Sequence, residues 1–367
     1  MIKPKLCIIY NFAQHYRTEI FKRLDEEFDC SFYFGDSYLD VKKMDYSLLK
    51  GNVTEVKNVR NKFLYFQKGV IPLIFKYDKF LLLGETRCLS TWLFSLLAFL
   101  LRKDFYFWTH GWYGKESKKE ALLKKMFFRL PKGIFVYGNY AKKLMVENGF
   151  DANRIHVIYN SLAYSKQLQT RIFLKKNDVF ADHFKNDSYN LIFIGRLASV
   201  KRLDLILDAM AKLRADSKFY NLTLIGGGEC EVALKKQCSN LGLDKNVWFY
   251  GPCYEESELG NLIYNADLCV APGNVGLTAM HTMVFGTPVL THNDFAYQMP
   301  EFEAIKPLKT GIFFERNNVD DLADKINEWF VVNGKNRDAI VKNCMDEIDS
   351  NWNPEAQVKT FKEVLSK

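Results

Sequence analysis

Two stretches combine glycine, cations and strand character in a way that suits an anionic ligand. In FIGRLASVKRLDLIL, residues 193–207, an apolar run leads straight into Gly195-Arg196, and Lys201 opens the next helical pattern. Two cations at the mouth of a sheet have the chemistry that holds a diphosphate. Cations near strand ends are common on protein surfaces, so this spacing alone does not decide the matter. In LCVAPGNVGLTAMHTMVFGTPVL, residues 268–290, a strand ends at Ala271-Pro272 and the turn Gly273-Asn274-Val275-Gly276 feeds a helix from Leu277. Amides at such a helix start point at phosphate and the peptide dipoles favour negative charge there. Thr278 either adds a hydroxyl to that site or caps the helix. Gly286-Thr287-Pro288 then stops the helix and turns into the next strand.

A third candidate is His110, which ends the run FYFWTH and precedes Gly111, so it belongs at the ligand edge of a sheet. A lone strand-end histidine is more often structural. The loop NFAQHYR, residues 11–17, follows the first strand. Its Asn11, His15 and Arg17 are candidates to touch a second substrate, although no residue type there dictates a role. LIGGGE, residues 224–229 and including Gly228, has the look of a dinucleotide fingerprint. It lacks the third glycine at the required spacing, and no acidic residue ends a strand about twenty positions on, so a nicotinamide reading fails at its main contact.

Metal chemistry finds no support in the residue spacing. The six histidines show no H-x-H or H-E-x-x-H pattern, and the eight cysteines form no C-x-x-C pair. The thiols read as reduced and buried, as in a cytosolic protein.

The elements that must position these residues alternate along the chain. Strands are expected near Leu6–Tyr10, Ser31–Phe34, Phe80–Leu83, Phe105–Trp108, Ile134–Tyr137 and His156–Tyr159, with helices such as Arg17–Glu27, Leu89–Arg102 and Tyr140–Asn148 between them. The pattern restarts with strands near Leu191–Ile194, Leu222–Ile225, Val247–Tyr250, Leu268–Ala271 and Pro288–Leu290. Helices fit Arg202–Arg214, Val232–Leu241, Glu256–Asn265, Asp338–Ile348 and Asn353–Ser366. Alternation of this kind means βαβ units and parallel sheets. The polar stretch Ser161–Asn190 reads as the connection between two doubly wound α/β domains. Ligands are then expected at the carboxyl ends of the strands, in a cleft between domains.

Composition bounds the rest. A chain of 367 residues with 48% hydrophobic and 26% charged residues is long enough for two folded domains. MIKPKLCIIYNF reads as a first strand rather than a signal peptide, and the longest apolar run, Leu89–Leu101, is too short to span a bilayer. The protein is therefore expected to be cytoplasmic or peripheral on a membrane. Net charge is +8, and between Lys115 and Lys143 nine Lys/Arg face two Glu. The segment 115–132 has helical spacing, with Leu122, Leu123, Met126, Phe127 and Leu130 along one side. Such a helix either lies on anionic lipid or packs on the core with a solvated lysine face. Nucleic acid is not an expected partner, because no reading motif accompanies the charge.

Taken together, the 195–204 and 272–311 blocks resemble the retaining GT-B glycosyltransferases, family 4. The carriers are G-R-L-x-x-x-K-R-L-D, the block from Pro272 through G-T-P-V, Pro300-Glu301, Lys309-Thr310-Gly311, LIGGGE and Phe249–Gly251. Weaker landmarks are Thr109-His110-Gly111 and Val157–Ser161. The resemblance implies two Rossmann-like domains facing across a cleft. Residues 1–170 would bind the acceptor, with 351–367 packing back on them, and residues 171–350 would bind a sugar nucleotide. It further implies transfer with retention and without a metal or cofactor, from a UDP-sugar first and a GDP-sugar next. The acceptor would be a glycan or lipid-linked chain in bacterial capsule or lipopolysaccharide synthesis at the inner face of the membrane. Arg196, Lys201 and His110 would be catalytic. Gly195, Gly228, Gly273–Thr278, His281 and Glu301 would hold the donor. The family's two glutamates, eight positions apart, correspond to Gly273 and His281 here. That leaves the donor sugar to Asn274 or Glu301 and gives His281 a ribose contact, a diphosphate contact or a packing role. The alternative is a non-catalytic sugar-nucleotide-binding relative; an epimerase or phosphorylase of the same fold is a weaker third.

Overall fold

The computed structural model describes residues 3–37 and 41–366. It forms two compact units, Met1–Ala163 with Asn353–Lys367, and Tyr164–Trp352. In the first unit the strands are β1 (Lys5–Tyr10), β2 (Asp29–Gly35), β3 (Asn52–Val56), β4 (Asn58–Arg60), β5 (Tyr65–Gln67), β6 (Lys79–Leu83), β7 (Asp104–Thr109), β8 (Gly133–Val136) and β9 (Ile155–Val157). The helices are α1 (Thr18–Glu27), α2 (Leu89–Leu100), α3 (Lys118–Phe128) and α4 (Asn139–Glu147). Seven strands pair in parallel in the order β3-β2-β1-β6-β7-β8-β9, while β4 and β5 make an antiparallel hairpin.

Strands buried on both faces read as continuous apolar runs, as KLCIIY and DFYFWT do. Their period of two divides the core. Leu6, Ile8, Tyr10 and Trp108 lie in one cluster, whereas Cys7, Ile9, Phe80 and Phe107 lie in the other. The second face is closed by α2 and α3, with Phe94 packed edge-on to Phe80 and Phe127 stacked 4.5 Å from Phe107.

The second unit holds β10 (Tyr189–Ile194), β11 (Tyr220–Ile225), β12 (Val247–Gly251), β13 (Leu268–Ala271), β14 (Val289–His292) and β15 (Gly311–Phe314). Its helices are α5 (Tyr164–Arg171), α6 (Val179–Phe184), α7 (Asp204–Ala215), α8 (Glu231–Asn240), α9 (Glu256–Asn265), α10 (Leu277–Met283), α11 (Val319–Asn333) and α12 (Arg337–Asn351). The sheet is parallel in the order β12-β11-β10-β13-β14-β15. The last helix, α13 (Pro354–Leu365), belongs to the first unit, where Phe361 packs 5.1 Å from Trp108 and 4.5 Å from Phe135. Gln357 ties it down by donating to Tyr159 O at 2.9 Å.

The stretch Ser161–Asn190 is not a plain linker. It carries α5 and α6, which pack on α9 through few apolar anchors; His183 stacks 3.8 Å from Trp248 instead. The strands β3 and β15 and the β4–β5 hairpin were not expected either. β3 is a half-exposed edge whose residues, NVTEV, carry no continuous apolar run.

Each parallel sheet reverses its winding once. In the second unit β10 has β11 on one side and β13 on the other. The crevice at the carboxyl ends of β10 and β13 is therefore the topological switch point, where open α/β sheets bind ligands.

Candidate functional site

The loops after β10 and β13 meet at this switch point with almost no side chain between them. A Cβ on Gly226 would run into Gly195 O, and one on Gly228 would lie 2.5 Å from Leu197 O. The loops after β10 and β11 therefore stack backbone on backbone. Gly273 donates its N–H to Lys201 O at 3.0 Å. A Cβ there would collide with Val200 O and come within 2.7 Å of the Lys201 carbonyl carbon. No side chain fits at position 273 beside the Lys201 segment.

Lys201 ends a short 3-10 turn, Ser199–Lys201, and its side chain returns to the turn after β13. Its Nζ donates to Asn274 O at 2.7 Å and to Asn274 Oδ1 at 2.8 Å. It also lies 3.9 Å from where a Cβ on Gly276 would sit. Burial pushes its ammonium down to about 8, against the pull of the Glu301 carboxylate. A charged amine held in an apolar setting gains from any anion that reaches it.

Arg196 lies exposed on the same crevice edge; its carbonyl accepts from Ala198 N–H at 2.9 Å, and its side chain makes no hydrogen bond or ion pair among the described residues. Thr278 is buried and donates to Ile194 O at 2.9 Å, so its hydroxyl hydrogen ties α10 to β10. Gly276 is the N-cap of α10 with φ +53, and Leu277 begins the helix. α10 has only 7 residues, so its dipole is short and the positive field rests mainly on Lys201 and Arg196.

The turn itself is fixed by residues that the sequence did not reveal. Val275 N–H donates to Gln298 Oε1 at 2.9 Å. Gln298 Nε2 donates to Thr291 Oγ1 at 2.8 Å and to His292 O at 2.9 Å. Thr291 donates in turn to Ala271 O at 2.7 Å. Both Gln298 and Thr291 are buried polar residues, and nothing in their spacing marks them. Glu301 is buried on the turn Pro300–Ala304, which packs against α10.

His281 is part-buried on α10, and its Nε2 meets Glu256 Oε1 of α9 at 3.0 Å. Burial works against ionisation of Glu256, but the His281 contact together with Gln167 and Lys166 outweighs it and holds the carboxyl below its usual range. A carboxylate thus reaches position 281 from a neighbouring helix. A depression of about 340 Å³ between α5 and α9 is lined by Lys166, Thr170, Phe173 and Glu256. Lys201, Arg196 and the Gly276 turn are not part of its lining.

In the first unit, His110 follows β7 and its ring lies 4.7 Å from that of Tyr137. Burial, with Arg17 and Lys124 adding to it, pushes His110 down to about 4, so the ring is neutral near pH 7. Asn11 and Arg17 are buried at the end of β1, and Arg17 lies 5.4 Å from the same Tyr137 ring. His15 stands apart from them, exposed, with Nδ1 3.3 Å from Lys42 O.

The basic segment 115–132 folds differently from the single apolar side expected of it. Helix α3 starts at Lys118 behind a capping box of Ser117 and Glu120. Phe127 and Phe128 enter the core, while Leu122, Leu123 and Met126 stay 61%, 52% and 56% exposed. Trp92 of α2 packs 4.6 Å from Phe127, so the two helices are neighbours. Leu89, Leu93, Leu96 and Leu100 of α2 form a further exposed stripe at helical spacing. Among the described residues, no helix is long and apolar enough to cross a membrane, and no group of three or more His, Cys, Asp or Glu side chains is placed to hold a metal ion.

Residues 175–344 match the family model of glycosyl transferases group 1. An uncharacterized 41.2 kDa protein in the cps region of Klebsiella pneumoniae is 26% identical over 197 residues, 52% of this chain and 51% of that protein. The O-antigen biosynthesis glycosyltransferase WbnH of Escherichia coli is 27% identical over 229 residues, 54% of this chain and 60% of that protein. The chain thus spans about half the length of these curated relatives. Among solved structures, Anabaena HepE in complex with UDP superposes with a TM-score of 0.72 at 15% identity, covering 99% of each chain. The chain therefore has the α/β fold of the GT-B structures, with two Rossmann-like parallel sheets, and residues 175–344 of its second unit carry the likeness to glycosyl transferases group 1.

Proposed function

We propose that the protein is a glycosyltransferase that moves a sugar from a nucleoside diphosphate sugar to a glycan or lipid-linked acceptor. The observation that carries this reading is the switch-point crevice of the second unit, where the Lys201 ammonium is held against the Gly273–Gly276 turn. A departing diphosphate placed there would meet Lys201, Arg196 and the amides of Gly276 and Leu277. Stabilising that developing charge is an electrostatic role worth several kcal/mol, without a metal ion or cofactor. UDP is the favoured carrier nucleotide, in keeping with the UDP bound by HepE, and GDP is next. Residues 171–350 would be the donor domain and residues 1–170 with 351–367 the acceptor domain.

Transfer would proceed with retention, as in family 4, through an oxocarbenium-like transition state in which the leaving phosphate takes the acceptor's proton. His110, neutral near pH 7, suits a hydrogen bond to the sugar rather than a cationic role. Gly273 offers the donor sugar only its backbone, which leaves Asn274 and Glu301 to read it. The His281–Glu256 pair would stand in for a single ribose-binding glutamate. Incubating the protein with a panel of UDP- and GDP-sugars and measuring nucleotide release tests the reading. Lys201→Ala and Arg196→Ala should each slow release by about 10²-fold or more. Near-normal turnover in either variant removes the assignment.

A second reading, a non-catalytic sugar-nucleotide-binding protein, is favoured by the absence of both family glutamates at Gly273 and His281. Binding without release across the panel would establish it.

The cell-surface setting is supported by the cps-region and O-antigen relatives and by the charge of the first unit. Residues 57–132 hold 16 Lys/Arg against 5 Asp/Glu, more than the whole chain's net +8. The exposed leucines of α2 and α3 lie within this segment. Apolar side chains ringed by cations suit an anionic leaflet. The protein would then work on the inner face of the membrane, in capsule or lipopolysaccharide synthesis.

A further inference from the structure

Residues 315–318, which connect β15 to α11, reach two separate segments that build the Lys201 crevice. They form a closed turn. Asn318 N–H donates to Glu315 O at 3.0 Å, and Asn317 between them takes a left-handed φ of +63. Asn318 then caps α11 by accepting from Asp321 N–H at 3.0 Å. A turn closed in this way, between a buried strand and a capped helix, is a stiff support.

On one side of the turn, Arg202 Nη1 donates to Asn317 Oδ1 at 2.5 Å. Arg202 directly follows Lys201 and holds a left-handed backbone of its own, φ +49, at the end of the Ser199–Lys201 turn. Asp204 accepts from Arg202 Nε at 3.1 Å and from Nη2 at 2.9 Å, which leaves Nη1 for Asn317. On the other side, the Arg316 guanidinium carbon lies 3.6 Å from the centre of the Tyr297 ring, and Nη1 donates to Asp294 Oδ2 at 3.0 Å. Tyr297 precedes Gln298, the residue that holds Val275 N–H. The two arms thus end on the segments that carry Lys201 and Gln298. Those segments meet again at the Gly273–Gly276 turn, through Asn274 and Val275, so the contacts close a ring round the crevice.

The side chains of Arg202, Arg316 and Asp294 are all about a third exposed. Ion pairs at such exposure add little to the stability of a fold. Loops fixed before a ligand arrives do bind it at a lower ordering cost. We propose that residues 315–318 brace the diphosphate crevice, with Arg316 and Asn317 as positioning residues that act through Tyr297 and Arg202. That the braced ligand is a nucleoside diphosphate rests on the donor-site reading of the crevice.

Calorimetric titration of the full-length protein with UDP and with GDP, beside thermal melting of each variant, tests the brace without a sugar donor or turnover. Asn317→Gly keeps the left-handed backbone and removes one arm; Arg316→Ala removes the other. Each should weaken the tighter-binding nucleotide by about three- to five-fold, and the two together by about ten-fold or more, because the arms end on different loops. Arg202→Asn should add nothing to Asn317→Gly, since both cut the same arm and asparagine tolerates the left-handed backbone. Asn317→Asp still accepts from Arg202 and should bind like the wild type. Arg316→Lys should recover only part, because lysine keeps the pair with Asp294 but not the flat stack on Tyr297. Melting temperatures are expected to stay within about 2 °C of the wild type. Unchanged affinity in the Arg316→Ala/Asn317→Gly double variant overturns the brace and leaves the donor site standing. Affinity that falls only in step with the melting temperature, or an Asn317→Asp variant as weak as Asn317→Gly, overturns it as well. A wild type that binds neither nucleotide removes the donor site, and the brace with it.

Discussion

Replacing Lys201 by methionine separates its cost from its use. In the ligand-free protein, burial pushes the amine from 10.5 to about 8. That difference corresponds to about 3 kcal/mol carried by the buried charge. Between about pH 8 and 10.5 the unfolded chain binds more protons than the folded one at this position, so its contribution to stability rises with pH there. Below pH 8 the full cost applies. Lys201→Met should therefore melt no lower than the wild type at pH 7, with its advantage shrinking above pH 8. A bound diphosphate would restore the ammonium and make binding take up protons. With a value near 8, uptake should be roughly 0.1 proton at pH 7, 0.5 at pH 8 and 0.9 at pH 9. Calorimetric titration with UDP in buffers of different ionisation enthalpy measures this directly. The reasoning fails if the wild type takes up no proton at pH 8–9, or if Lys201→Met takes up as much.

Four further outcomes follow from the same geometry. Gly273→Ala has nowhere to put its Cβ beside Val200 O, so the two loops must part; a loss of about 1–3 kcal/mol in denaturant titration and weaker UDP binding are expected. Gln298→Ala strands the Val275 N–H and should cost about 1–3 kcal/mol, with a larger effect on nucleotide affinity than on the fold of the first unit. His110 and His292 are both held down to about 4, chiefly by burial, with Arg17 and Lys124 adding for the first and Arg316 adding, against Asp294, for the second. The unfolded chain binds more protons between pH 6.5 and 4, so stability should fall across that window, by up to about 3 kcal/mol per histidine; a flat acid limb down to pH 4 would contradict this. Leu93→Ser/Leu96→Ser/Leu100→Ser should weaken co-sedimentation with phosphatidylglycerol vesicles at low salt by more than ten-fold, because about 1.5–3 kcal/mol is at stake for each leucine fully buried in lipid.

The sequence carried the fold well where strands were buried on both faces. KLCIIY, DFYFWT and NLIFI are uninterrupted apolar runs, and the sheets formed from them as alternation requires. Legibility failed where structure depends on contacts distant in the chain. β3 exists as an edge because β2 offers it a partner, not because NVTEV prefers a strand. α5 and α6 form in a polar stretch because α9 and Trp248 receive them. At the crevice, Gly195, Arg196 and Lys201 were visible as charge beside a strand end. The hold of Asn274 on Lys201, and that of Gln298 on Val275, joins residues 73 and 23 positions apart and leaves no periodic trace. The reason for Gly273 was equally hidden, since it lies in the approach of another backbone. The split face of α3 shows the opposite limit. Helical spacing placed five apolar residues together, but only packing against α2 decided which of them entered the core.

The central claim is that the Lys201 crevice supports departure of a nucleoside diphosphate from a sugar. The most direct measurement is the rate of nucleotide release from a panel of UDP- and GDP-sugars, for the wild type and Lys201→Met side by side, with UDP affinity measured on both. The account predicts release from at least one donor and a loss of about 10²-fold or more in the variant. Nucleotide that binds at the crevice without release from any donor, or release that Lys201→Met leaves unchanged, would contradict it.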